Sequence, residues 1–136
     1  PMIKAFIDSP AITAFINRNH PRHLSVVEEF EHLSTQNAHL TTSIMVVTQT
    51  HTELLTDFGL SIARDFIRII PYSSIAIVKL TAADEQDAYQ LLKLPQNYQA
   101  NLQDALHIAI MHRLNITHAF SGNPLFPSNH ITLLGN

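Results

Sequence analysis

The chain has 136 residues, 46% hydrophobic and 14% charged, which suits one folded domain with a buried sheet and excludes a disordered or low-complexity protein. It has no cysteine, which excludes a disulfide framework, a thiolate metal site and a cysteine nucleophile. The formal charge is -3, and the eight Lys and Arg residues are scattered between Lys4 and Arg113 rather than gathered into the basic patch of a dedicated nucleic-acid binder. No apolar run approaches the length of a membrane span and no signal-peptide pattern opens the sequence, so a cytoplasmic protein without a membrane anchor is expected. Pro1 before Met2 reads as a remnant of cloning, with the domain running over residues 2–136.

In chain order, Ile3–Ile7 is short and apolar and reads as a buried strand ending at Asp8. Ser9-Pro10 signals a helix start, and the spacing predicts a helix over Ala11–Asn17. A second helix is expected from His20-Pro21, with Leu24, Val27, Phe30 and Leu33 as its apolar stripe and Glu28 and Glu29 in solvent. Ala38–Thr41 reads as a strand. Thr42-Ser43 caps a helix that runs through Ile44, Val47, His51 and Leu55 and ends at Gly59. Ile62, Phe66 and Ile69-Ile70 mark an amphipathic helix stopped by Pro71.

Ser74–Leu80, rich in Ile and Val, reads as a buried strand. Thr81–Glu85 resembles a capping arrangement for a helix carrying Ala88, Leu91 and Leu92, and Pro95–Gln99 reads as a polar loop. Leu102–Leu114 is a strong helix with Leu102, Ala105, Leu106, Ala109 and Ile110 on a broad face. Thr117–Phe120 and Ile131–Leu134 are the last strands. The alternation argues for an α/β fold: a three-layer sandwich with a central, mostly parallel sheet of four to five strands and helices on both faces. Ligands gather at the carboxyl ends of such strands. Asp8 and Ser121 each follow a strand directly, and Asp104 near a helix start can reach the same edge.

Taken singly, Asp8 and Asp104 are ordinary helix-capping carboxylates. His107 and His112 are five apart and share no helical face, while His51 and His107 neighbour Gln49 and Asp104 in the sequence. No Gly-rich phosphate loop and no Gly-x-Ser-x-Gly elbow is present, so nucleotide-dependent and acyl-transfer enzymes have no support.

Four blocks give these residues more meaning: Phe6–Ile12, Thr42–Gln49, Leu102–Ala109 and Ala119–Ser121. Together they resemble the four blocks of the PIN domain family, over nearly the whole chain and with most similarity to the VapC-type toxin ribonucleases. The resemblance implies a PIN-like domain over residues 2–136. It further implies a site where four acidic positions hold Mg2+ or Mn2+ and activate water to cut single-stranded RNA. Hard oxygen ligands suit Mg2+, and the ion lowers the pKa of bound water and offsets charge growing on phosphate.

Mapped by the resemblance, Asp8 and Asp104 stand at the first and third acidic positions and are the expected metal ligands. Gln49 stands where the family has Glu, and Ser121 where it has Asp. Asn123 replaces a further Asp, and Ser9-Pro10 departs from the usual Thr-Asn. Glu53, one turn beyond Gln49, lies on roughly the same helical face as a substitute ligand. Ser9, Glu53 and Asn123 are thus supporting residues. Such a set keeps oxygen ligands but about half the formal charge, so metal affinity should fall. Gln49 and Ser121 are expected to hydrogen-bond to Asp8 and Asp104 in a site stable without metal. The reading is a VapC-like protein with weak or lost nuclease activity. The alternative is a catalytically silent interaction module. Its implied partners are single-stranded RNA, an antitoxin-like protein and a second copy in a homodimer.

Overall fold

Lys4-Ala5-Phe6-Ile7 is extended and almost wholly buried as β1, the middle strand of the sheet. A run without polar alternation suits a parallel strand covered on both faces. The computed structural model describes residues 2–135, so Pro1, read as a cloning remnant, and Asn136 lie outside the described residues. β2 (His39–Ser43) and β4 (His118–Phe120) flank β1, and β3 (Ile75–Val78) and β5 (Thr132–Leu134) are the edges, in the order β3-β2-β1-β4-β5. Every pair is parallel, with Phe6 set between Thr41 and Ala119.

The helices are α1 (Ser9–Ile16), α2 (His23–Thr35), α3 (Ile44–Phe58), α4 (Leu60–Ile69), α5 (Ala82–Leu91) and α6 (Leu102–Arg113). α1 packs on α2 and α3, α3 packs on α4, and α5 packs on α6. Right-handed crossovers put the first four on one face of the sheet and the last two on the other, which makes the three-layer sandwich. Phe6, Ile7, Leu54, Ile108, Phe126 and Ile131 are among the largest fully buried side chains of the core. Each such side chain contributes about 1.5 to 3 kcal/mol through burial. Among the described residues no helix is long and apolar enough to cross a membrane.

Local chemistry sets the boundaries. α1 begins at Ser9 rather than Ala11, because the Asp8 carboxylate accepts from the Ser9 amide and Pro10 needs no donor in the first turn. Ser43 caps α3 by accepting from the Val46 amide, and Gly59, at φ 90°, ends α3 where a side chain would be strained. Several expected faces shift. In α2 the core side is Val26, Phe30 and Leu33, while Leu24 is 74% exposed, because the helix starts only at His23 and the i, i+4, i+7 set faces the sheet. In α3 the buried side is Val46, Val47, Thr50 and Leu54, which leaves Ile44 and Leu55 exposed. β3 is half-buried rather than buried, because an edge strand lacks a neighbour on one side. α6 exposes Leu102 but encloses every residue from Ala105 to Met111, so it is packed all round.

Candidate functional site

The strand order changes direction at β1: β2 and β3 lie to one side, β4 and β5 to the other. Crossovers leave such a point toward opposite faces and open a crevice at the carboxyl ends of the strands. Asp8 and Ser121 are the first residues beyond β1 and β4, and the Asp8 amide donates to the Phe120 carbonyl at 3.2 Å, so both side chains stand in that crevice. α6 brings Asp104 to the same edge in its first turn, inside a reciprocal cap in which Asp104 and Asn101 exchange hydrogen bonds of 2.8 and 3.0 Å.

The side chains form a continuous polar rim. Ser121 Oγ donates to Asp8 Oδ2 at 2.6 Å, and the Ser9 amide donates to Asp8 Oδ1 at 2.8 Å. Asn123 Nδ2 donates to Asp104 Oδ1 at 2.9 Å, while the Asn123 amide donates to Ser121 Oγ at 3.1 Å. On the α3 side, Glu53 accepts from Gln49 Nε2 at 3.0 Å and from Ser9 Oγ at 2.9 Å. Gln49 Oε1 in turn accepts from Gln103 Nε2 at 3.0 Å. Each oxygen of Asp8, Glu53 and Asp104 therefore accepts a hydrogen from a neutral group of the protein.

Below the rim, His107 is 3% exposed, stacks at a tilt on Phe6 with centroids 4.9 Å apart, and shares a 2.9 Å hydrogen bond between Nε2 and Ser43 Oγ. Burial pushes its pKa down, and the nearby charges of Asp8 and Asp104 oppose that shift without reversing it.

The expected residues are thus brought together, with one reassignment of partners. Ser121 bonds Asp8 as expected, but Gln49 bonds Glu53 and Gln103, and Asp104 is held by Asn123 instead. Glu53 turns into the rim because i, i+4 places it against Gln49. Ser9 orients Asp8 through its amide and spends its hydroxyl on Glu53. Of the two neighbouring histidines, His107 underlies the site, whereas His51 is half-buried on α3 and makes no hydrogen bond to the rim side chains among the described residues. Gln103 and Asn101 were not singled out by sequence reasoning. The Asn101-x-x-Asp104 spacing of a capping box signals the second; nothing signals the first.

A divalent ion such as Mg2+ takes acceptor oxygens that converge on one point. Here Ser121 and Asn123 direct donors at the carboxylates, and among the described residues no three His, Asp or Glu side chains come together in a way that could hold a metal ion.

Fold and site together define a doubly wound α/β protein with a carboxylate-bearing cleft at its switch point. The sequence pattern of the PIN domain matches residues 5–128, and the chain belongs to the PIN domain family. Its structure is similar to that of VapC20 from Mycobacterium tuberculosis, described as a toxin that cleaves the sarcin-ricin loop. The TM-score is 0.77 over 94% of this chain and 96% of that one, at 22% sequence identity, so the likeness is one of fold. Among curated proteins none matches this sequence.

Proposed function

We propose that this chain is a VapC-like protein descended from metal-dependent, single-strand-specific endoribonucleases, in which hydrolysis of RNA is weak or lost. The observation that carries this reading is the pairing of every oxygen of Asp8, Glu53 and Asp104 with a neutral protein donor. A cleft built to bind Mg2+ or Mn2+ gathers uncompensated negative charge, which raises carboxylate pKa values and strains the fold until the ion arrives. Gln49, Ser121 and Asn123 relieve that repulsion within the protein itself. Asp8 and Asp104 are the residues that would be metal ligands in a competent ancestor, with Ser9 and Glu53 in support.

The test is calorimetric titration of Mn2+ into three proteins: the chain as it is, Asp8→Ala, and the double variant Gln49→Glu/Ser121→Asp. The unaltered chain is expected to bind weakly, and restoring both carboxylates to tighten binding by at least about tenfold, since each added charge at close range is worth a kcal/mol or more. Tight binding by the unaltered chain that Asp8→Ala abolishes would overturn the reading.

A second reading, a silent interaction module, has its own observation. An apolar groove of about 460 Å3 runs between α1, α2, α4 and β3, lined by Phe15, Phe30, Ile62, Ile69 and Ile75 among others. Leu60 and Ile67 of the same α4 are also exposed. A patch of this kind marks a partner surface, for which a second copy or an antitoxin-like protein are the candidates.

A further inference from the structure

A second cleft, of about 270 Å3, lies beside the acidic centre, between α1, the α1–α2 connection and the ends of β4 and β5. Ser121 belongs to both: its hydroxyl is bound to Asp8, and it lines the second cleft together with Gly122. The charge of this cleft is opposite to that of its neighbour. Arg22 and His20 line it, and among the described residues no Asp or Glu does. By contrast, Asp65 lines the apolar groove beside α4, and Asp87 lines the cleft beside α5.

The two basic residues are held in place while keeping donors free. His20 Nδ1 accepts from the Arg22 amide at 3.0 Å, which leaves Nε2 for a ligand. One Arg22 Nη2 hydrogen goes to the Gly135 carbonyl, and a guanidinium has five N–H donors in all. Gly135 has a φ of 77°, and a Cβ there would run into the Phe120 ring. The rest of the wall is mainly apolar, from Ala14, Val26, Phe120 and Leu134 among others, with Thr13 as a further polar side chain. A site with a planar cationic fork at one end and an apolar wall at the other matches a phosphate joined to a sugar and base.

We propose that this cleft is a subsite for one phosphate-bearing nucleotide unit, gripped by Arg22 and His20 beside Ser121. The proposal rests on the ribonuclease-derived reading of the neighbouring centre but needs no metal, so the two fail separately. The source of the unit is either a free nucleotide or one position of an RNA strand. Both are tested in EDTA by fluorescence anisotropy of labelled hexauridylate, alone and in competition with UMP. The variants are Arg22→Ala, which removes the fork, and Gly122→Leu, which fills the cleft where a Cβ now meets nothing within 4 Å.

Each variant is expected to weaken hexauridylate binding about tenfold, as loss of one charged hydrogen bond or of the space itself requires. Arg22→Ala should also lower the slope of log affinity against log salt by about 0.7, the value for one phosphate contact on a single strand. Complete competition by UMP assigns the site to the free nucleotide, and its failure assigns it to the strand. Absence of hexauridylate and UMP binding, or variants that bind as the unaltered chain does, would overturn the proposal.

Discussion

His107 shows how one buried side chain links the site to stability. Its pKa is lowered by burial from an ordinary value of 6.5, against the pull of Asp8 and Asp104, so the fold holds the ring neutral. The unfolded chain protonates this residue near pH 6.5, while the native protein does so only at lower pH. The stability that His107 contributes is therefore present above about pH 6.5 and is lost as pH falls toward its lowered native value. Urea unfolding between pH 5 and 7.5 should show a shallower acid loss for His107→Gln than for the unaltered chain. Equal slopes would mean that the ring is not held neutral. That Asp8, Asp104, Gln49 and Ser121 gather at one edge of the sheet was legible in the sequence through their blocks. The partner of each was not, because hydrogen bonds between residues 54 or 113 apart depend on how helices settle on the sheet.

At the scale of elements, α5 and α6 are joined by a pair that the sequence half disclosed. Thr81-x-x-Asp84 is a capping box, and Asp84 also receives two hydrogen bonds from Arg113 at 2.7 and 2.9 Å, near the C-terminal end of α6. Burial alone would push the Asp84 pKa up, but Arg113 and the Thr81 amide and hydroxyl outweigh it and hold the carboxyl below its ordinary 3.8. Its contribution is thus intact at neutral pH and lost as pH falls below about 3.8 through the lowered native value. Arg113→Ala leaves a buried charge without its partner, a change that costs about 3 to 5 kcal/mol for fully buried pairs. Because Arg113 is one third exposed, about 2 to 3 kcal/mol is expected in urea unfolding, with part recovered by adding Asp84→Asn. A loss below 0.5 kcal/mol would show that water already screens the pair. The buried Asn97 and Asn129 make a comparable link, exchanging amide hydrogen bonds of 3.2 and 2.7 Å between two short 3-10 turns. Nothing in their flanking residues announces it.

At the scale of the molecule, the parallel sheet faces α6, which is enclosed all round, on one side and the more open α1–α4 layer on the other. That asymmetry is what leaves α4 with exposed Leu60, Ile62, Ile67 and Ile69. If a second copy covers them, light scattering over a concentration series should show a dimer, and Ile69→Glu should convert it to monomer with little change in monomer melting. A monomer at every concentration would count against the dimer and direct the search to a different partner for the groove.

Periodicity, caps and breakers act within a few residues of chain, so the alternation of elements and most of their ends could be read from the residues alone. The four blocks also placed the candidate cleft at the carboxyl edge of the sheet. Which face each helix buries, that Glu53 and Asn123 close the rim, and that Arg22 and His20 stand beside Ser121 emerge only once the chain is folded. Those outcomes rest on contacts between distant segments, where the register of the sheet and the seating of helices decide which polar groups meet.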